Sequence, residues 1–362
     1  MDNIQSNHLC KKSYISIEQL SASKSKGDKT LNNIGMGMAI IGCGAAAPQA
    51  TLSNQHLSHI VETSDEWIYS RTGMKNRRIA SRSDSLSQLS AEAARRAIAM
   101  AQITPNDVDL IILATSTPDD LFGSASKVQH LIGATRAVAF DLTAACSGFV
   151  FALITAAQYI RTGMYRNVVV IGADVLSRWV DWADRTTCVL FGDGAGAVVC
   201  QGIENSDRLL AFGMYSDGSQ NNCLNIAYQG NSKSLTQGIT AETGNYRPIT
   251  MNGREVYRFA VAKVPEAIEK AMFTAGLSHE DIDWLLLHQA NQRIMNAVAK
   301  RLKLPPEKIL SNIADYGNTS AASIPLALDA AVRVGKVKPG DTIAASGFGA
   351  GLTWSSAIFQ WG

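Results

Sequence analysis

Apolar residues in this chain gather into short dense runs, separated by longer stretches whose apolar positions recur at helical spacing. The runs are "MAIIGCGAAAP" from Met38, "DLIILATSTP" from Asp109, "AVAFDLT" from Ala137, "NVVVIGAD" from Asn167 and "GAGAVVCQGI" from Gly194. Strand-like runs alternating with helical patterns predict an α/β fold around a mainly parallel or mixed sheet. After Cys146 the pattern stays apolar to Arg161 and stops at "RTG". A cation in the last turn and a glycine beyond it close a helix there.

The pattern repeats. "NDVDLIILATS" (Asn106 to Ser116) aligns with "EDIDWLLLHQA" (Glu280 to Ala290), and "CSGFVFALITAAQYIRTG" from Cys146 lies without gaps on "NTSAASIPLALDAAVRVG" from Asn318. The offsets, 174 and 172 residues, agree within a short loop change. Two matches in one order at nearly one offset imply a duplicated unit. We therefore expect an extension over 1–36, a first half over 37–205 and a second half over 206–362, related by a pseudo-twofold axis. In that register Cys146 and Asn318 occupy equivalent helix starts, and His288 ends the strand matching "LIILA". Ligand chemistry in α/β folds collects at such strand ends and helix starts.

Composition narrows the choice. With 362 residues, 46% hydrophobic and 18% charged, the chain has ample material for a core, as one large domain or two ordinary ones. A net charge of +2 gives no general pull toward nucleic acid or a membrane, so any basic partner surface must be local. No apolar run reaches the roughly 18 residues of a membrane span. The six cysteines (Cys10, Cys43, Cys146, Cys188, Cys200 and Cys223) show no metal-ligand spacing, which argues for reduced thiols and no metal site. Residues 1–36 are rich in Ser and Lys and lack hydrophobic periodicity. A disordered tail, an early start codon (Met36 or Met38 would serve) and a plastid transit segment all stay open for them, giving a cytoplasmic or stromal location.

A free cysteine is ordinarily a small buried hydrophobe, and Cys43, Cys188, Cys200 and Cys223 read that way. Cys146 stands apart, at a strand-to-helix junction among small residues. The unpaired N–H groups of a helix N-terminus favour negative charge, so the expectation is an exposed thiol with a lowered pKa.

"TAACSGF", "LLLHQAN" and "YGNTSAASIPLAL", in that order, resemble the Cys–His–Asn active site of the thiolase-like condensing enzymes. The pattern is most similar to the β-ketoacyl-[acyl carrier protein] synthase III family, in wording nearest its plastid and cyanobacterial members. "TSDEWIYSRTGMKNRRIA", "FGDGAGAVV" and "GFGAGLTW" extend the likeness over nearly everything after Met38. The resemblance implies a thiolase-like fold whose halves form an α/β/α/β/α stack. It also implies a two-step acyl transfer without a cofactor. Cys146 takes the acyl group of a short acyl-CoA such as acetyl-CoA. Malonyl-acyl carrier protein then loses CO2 and attacks the acyl-cysteine, giving a 3-oxoacyl-carrier protein that initiates fatty acid synthesis.

On the same basis His288 and Asn318 donate to the malonyl thioester oxygen, while the backbone N–H groups of Cys146 and Ala350 form an oxyanion hole. Trp67 and Arg185 would sandwich the CoA adenine, with Arg71 and Thr72 near the nucleotide and Asn291 near the pantetheine arm. Thr186 replaces the family's usual glycine after that arginine. Phe122 would close a partner's acyl pocket across a homodimer, and Arg254, Arg258, Arg293, Lys300 and Arg301 would receive the acidic carrier protein. Two rivals stay open: a relative with another primer or a CoA-bound extender, and a non-catalytic carrier-protein-binding homologue. A thiolase would need a second catalytic cysteine near the C-terminus, and none follows Cys223.

Overall fold

Each strand run read from the sequence enters one of two sheets. The computed structural model describes residues 35–362, so Cys10 and the extension up to residue 34 lie outside the described residues. The first sheet holds β1 (Met36–Ala46), β2 (Leu110–Ala114), β3 (Val138–Leu142), β4 (Asn167–Val175) and β5 (Asp193–Glu204), in the spatial order β1-β5-β4-β2-β3. Met36, counted above with the extension, already pairs with Glu204. Strand β2 runs parallel to β3 and β4, whereas β4–β5 and β5–β1 are antiparallel. The second sheet holds β6 (Leu209–Ser216), β7 (Trp284–Leu287), β8 (Thr342–Gly349) and β9 (Thr353–Gln360), in the order β7-β8-β9-β6. Its β7–β8 pair is parallel and the other two are antiparallel, so β7, β8, β9 and β6 repeat β2, β4, β5 and β1. The counterpart of β3 shrinks to one parallel bridge between Leu285 and Ile309.

Burial explains why these runs, the edge strand β3 apart, are apolar throughout. In β2, Leu110, Ile112 and Ala114 face the inner core, while Ile111 and Leu113 face the outer one. A strand covered on both faces shows no polar alternation. The helices Gly148–Arg161 and Ser323–Arg333 lie between the sheets, in one core with Met38, Ile40 and Val198 of the first sheet and Leu286, Ile343 and Phe359 of the second. Helices Leu86–Met100 and Ala125–Ile132 cover the first sheet outside, and Gly253–Ala275 and Gln292–Arg301 cover the second. The result is the α/β/α/β/α stack of the thiolase-like fold. Leu153, Ile154 and Ile160 of the central helix are fully buried. Each such side chain stabilises the fold by roughly 1.5–3 kcal/mol relative to exposure.

The structure corrects the register of the repeat at its most interesting point. Helix Gly148–Arg161 follows a 3-10 turn, Ala145–Ser147, whose first residue has φ +48°. Helix Ser323–Arg333 follows a 3-10 turn, Ser320–Ala322, whose first residue has φ +51°. A left-handed non-glycine residue is costly, so its recurrence marks equivalent positions more sharply than an apolar pattern does. Cys146 therefore corresponds to Ala321, at an offset of 175, and not to Asn318. The second helix is three residues shorter, 11 against 14, which restores the 172 offset at the closing Arg-x-Gly.

Candidate active site

Cys146 occupies the middle of the 3-10 turn between β3 and the central helix, and β8 presses against that turn. A Cβ on Gly349 would lie 2.7 Å from the Cys146 N and 3.1 Å from its Cβ, and one on Gly347 would lie 2.9 Å from the Ser147 Cα. Only residues without side chains let the "GFG" stretch come so close. Thr353 bolts the arrangement. Its Oγ1 lies 2.8 Å from the Ser147 Oγ and 3.1 Å from the carbonyls of both Ala144 and Ala350. Ala350 is thereby fixed beside the cysteine.

The thiol is not exposed as the sequence suggested: Cys146 keeps 7% of its surface. Burial pushes its pKa up to about 12, and the Asp174 charge adds to the rise. Hydrogen bonds from Ser320 and from the cysteine's own amide act the other way. The expected lowering fails because the cysteine lies ahead of the helix, in a site where desolvation of the thiolate outweighs a helix terminus.

His288 follows the last residue of β7, and its N–H donates to the Ser346 carbonyl at 2.9 Å, which prolongs the β7–β8 ladder. Its ring lies edge-on to Phe348 at 5.2 Å, with Nδ1 2.7 Å from the Ser323 Oγ. It is 2% exposed, and burial draws its pKa down to about 3, so the imidazole is neutral. Asn318 is clamped by its backbone, donating to the Leu190 carbonyl and accepting from the Gly192 N–H, both at 2.9 Å. Its Oδ1 accepts the Ser320 N–H at 2.9 Å, which leaves Nδ2 as a donor.

These groups meet at a residue that the sequence reading did not single out. The Ser320 Oγ donates to the Cys146 Sγ at 3.3 Å, its N–H holds Asn318, and its carbonyl accepts the Ser323 hydroxyl at 2.8 Å. That same hydroxyl touches the His288 Nδ1. Cys146, His288 and Asn318 thus all lie within two hydrogen bonds of Ser320. The signal in the sequence was a polar residue at the left-handed start of a turn, which no apolar periodicity reveals.

A cavity of about 1030 Å³ opens onto this cluster. Cys146, Ser320 and Ala350 line its floor, and Leu121, Phe122 and Trp179 line its walls. Phe122 is fully exposed in the single chain. His288, Asn318, Trp67, Arg71, Arg185 and Asn291 are not among the residues that line it.

The expected nucleotide residues gather elsewhere. The guanidinium carbons of Arg71 and Arg185 lie 5.0 and 5.6 Å from the Trp67 ring centroid. The gap to Arg185 is about 1.5 Å short of the roughly 7 Å, two stacking distances, that a planar ring between Trp67 and Arg185 would need. The Arg185 Nη1 donates to the Glu62 carbonyl at 2.9 Å. The Thr186 hydroxyl lies 2.7 Å from the Asp184 Oδ1, so the residue departing from the family pattern braces the turn that carries Arg185. Thr72, next to Arg71, braces the end of its own helix. It is 4% exposed, and its hydroxyl donates to the Ile68 carbonyl at 2.7 Å and accepts the Met74 N–H at 3.0 Å. Asn291 caps helix Gln292–Arg301 by accepting the Arg293 N–H at 2.8 Å.

The basic residues lie on two neighbouring helices. Arg258 pairs with Glu255 at 2.9 Å, and Arg293 donates to the Ser70 carbonyl at 2.9 Å. Arg301 reaches the Val261 carbonyl at 3.4 Å, and Arg254 and Lys300 are exposed without an ion-pair partner among the described residues. No group of three or more His, Cys, Asp or Glu residues able to hold a metal occurs among the described residues. Nor is any described helix long and apolar enough to cross a membrane.

Comparison with known proteins places these features in context. Residues 140–218 match the family model for 3-oxoacyl-[acyl-carrier-protein] synthase III, and residues 272–361 match the model for its C-terminal part. Beta-ketoacyl-[acyl-carrier-protein] synthase III of Microcystis aeruginosa is 68% identical over 92% of this chain and 100% of its own length. The enzyme of that name from Acaryochloris marina is 65% identical over 91% of this chain and 99% of its own length. Among solved structures, 3-oxoacyl-[acyl-carrier-protein] synthase III from Aquifex aeolicus superposes with a TM-score of 0.82 at 44% identity, covering 90% of this chain and all of that one.

Proposed function

The chain belongs to the 3-oxoacyl-[acyl-carrier-protein] synthase III family, and from that premise we propose how its own residues divide the work. It is a condensing acyltransferase of fatty acid synthesis. The reading that the site supports best begins with a short acyl-CoA, acetyl-CoA as primer, whose thioester carbon bonds to the Cys146 sulfur as CoA departs. The N–H groups of Cys146 and Ala350 receive the oxyanion of that step and of its later collapse.

Malonyl-acyl carrier protein then binds, and loss of CO2 leaves an enolate oxygen. The His288 Nε2–H and the Asn318 Nδ2–H donate to it, and both can do so because both are neutral. The nascent carbanion attacks the acyl carbon, the bond to Cys146 breaks, and a 3-oxoacyl-carrier protein leaves. In the required tautomer the Ser323 hydroxyl turns its proton to the His288 Nδ1, one of the two acceptors within its reach. No metal or cofactor has a step in this scheme. One observation carries it: a thiol, an imidazole and a carboxamide from separate stretches of chain converge on Ser320 at the floor of one cavity.

Trp67, Arg71 and Arg185 serve the CoA nucleotide and Asn291 the pantetheine arm, supported by the aromatic–guanidinium cluster at Trp67. Arg254, Arg258, Arg293, Lys300 and Arg301 serve the carrier protein, supported by their clustering on adjacent helices. A homodimer formed along the outer edge of β3 is supported by fully exposed Phe122 and Leu121, 82% exposed, beside that strand. The compartment in this reading is the cytoplasm, or a plastid stroma if the first residues are a transit segment.

The test separates the half-reactions. Mixed with acetyl-CoA, the protein gains one acetyl group on the Cys146 peptide by mass spectrometry, and Cys146→Ala gains none. His288→Ala and Asn318→Ala still acquire the acetyl group but lose malonyl-carrier protein decarboxylation. Equal loss of both steps in these variants would refute the division of labour.

A further inference from the structure

A thiol buried this deeply faces a question that the scheme above leaves open, namely where its proton goes. The neighbouring carboxylate supplies an answer. Asp174, the penultimate residue of β4, is fully buried. Its Oδ1 lies 3.1 Å from the Thr115 Oγ1, 2.8 Å from the Ser116 N and 2.9 Å from the Thr117 Oγ1. Both threonine hydroxyls already accept a backbone N–H, Thr115 from Thr117 at 3.1 Å and Thr117 from Val175 at 2.8 Å. Their own protons therefore point at the carboxylate, and Oδ1 is saturated by three donors. Any proton that Asp174 takes up sits on Oδ2.

That oxygen faces the turn carrying Ser320. The next residue, Ala321, donates its N–H to Oδ2 at 3.2 Å, and the Ser320 hydroxyl lies close enough to the carboxylate to oppose the rise in its proton affinity. The same hydroxyl lies 3.3 Å from the Cys146 sulfur. Among the described residues, the groups facing Asp174 are the hydroxyls of Thr115, Thr117 and Ser320, the amides of Ser116 and Ala321, and one other titratable group, Cys146. Burial raises the proton affinity of this carboxylate, which suits it to hold a proton transiently.

We propose that Ser320 and Asp174 form the proton path of Cys146: the Ser320 hydroxyl, which donates to the sulfur at rest, turns its proton to the Asp174 Oδ2 and accepts the thiol proton in exchange. The proposal rests on Cys146 being the nucleophile. During acylation the Cys146 S–H bond and the CoA thioester C–S bond break, and the acyl–Cys146 bond forms. The proton held on Oδ2 returns through the Ser320 hydroxyl to the departing CoA sulfur, so atoms and charge balance with no further reactant. Ser320 touches the reacting sulfur, and Asp174 acts through it.

Iodoacetamide alkylation of Cys146, followed by peptide mass spectrometry from about pH 6 to pH 9, tests the path without any acyl substrate. Two groups sharing one proton give a thiolate fraction, and an alkylation rate, that are nearly flat with pH between their two macroscopic titrations. The wild-type chain should show that plateau. Asp174→Asn should replace it with a rate rising about tenfold per pH unit, the slope of a lone thiol below its pKa. Ser320→Ala, which keeps the backbone contacts to Asn318 and Ser323, should lower the plateau by about tenfold or more. A wild-type rate that itself rises about tenfold per unit throughout overturns the proposal, as does a Ser320→Ala profile matching wild type. Acetylation by acetyl-CoA is recorded alongside. If wild type is not acetylated, the nucleophile assignment falls; if it is acetylated without a plateau, only the proton path falls.

Discussion

Gly349→Ala probes the site through its narrowest clearance. The added methyl group would stand 2.7 Å from the Cys146 N, 3.1 Å from the Cys146 Cβ and 3.2 Å from the Ala145 Cβ. Non-bonded heavy atoms rest at about 3.5 Å or more, so the strand and the cysteine turn must part by about 0.8 Å. The backbone of Gly349 lies outside the left-handed region, so alanine meets no conformational obstacle and the effect is purely one of space. All three contacts are to the main chain or to a Cβ bonded to it, and no flexible side chain can swing away. Overpacking of this kind costs roughly 1–3 kcal/mol of stability.

The catalytic cost should be larger than that figure suggests. The parting moves the Cys146 amide, the Ala350 amide and the sulfur relative to one another, and misplacement by about 1 Å can cost a hundredfold in rate. The expectation is a folded variant, less stable by roughly 1–3 kcal/mol in urea titration, whose Cys146 acetylation by acetyl-CoA is slowed about a hundredfold in rapid-quench mass spectrometry. A Gly349→Ala protein that acetylates at the wild-type rate with unchanged stability would refute the claim that the "GFG" stretch fixes the nucleophile by contact.

Two further predictions follow from charge. The buried imidazole of His288, with its pKa drawn down to about 3, remains neutral in the folded chain while the unfolded chain takes up a proton below its ordinary value of 6.5. Its contribution to stability is full above pH 6.5 and is lost as pH falls toward 3, by up to about 1.4 kcal/mol per unit. Urea midpoints measured across that window should show the wild-type slope exceeding that of His288→Gln, and equal slopes would count against a neutral buried ring. Reversing Arg254 and Arg258 to glutamate should weaken carrier-protein binding by about tenfold at low salt, with the gap to wild type narrowing as salt is added. A gap insensitive to salt in calorimetric titration would remove these two residues from the docking surface.

Much of this was legible along the chain because it depends on near neighbours. Most runs of the first sheet were visible as apolar strings since both faces of their strands are covered, the edge strand β3 being only partly so. The helix after Cys146 ends at Arg161, where a cation and a glycine signal it. The order of the cysteine, histidine and asparagine motifs identified the family, as the 68% identical relative bears out.

Tertiary structure alone decided the rest, since it depends on distant groups. A thiol at a helix approach reads as activated until solvent is counted, and the packing of β8 on Cys146 excludes that solvent. That the Thr72 hydroxyl binds the Ile68 carbonyl and the Met74 N–H is likewise invisible in the sequence. The duplicated halves align by apolar pattern yet slip by three residues at Asn318, because hydrophobic spacing is blind to the left-handed turn that sets the true register. Ser320 and Cys146 are 174 residues apart and touch only after two sheets and two central helices have assembled. Local sequence carries backbone preference and periodicity, whereas proton affinity and hydrogen-bond partnership follow from which surfaces lose water together.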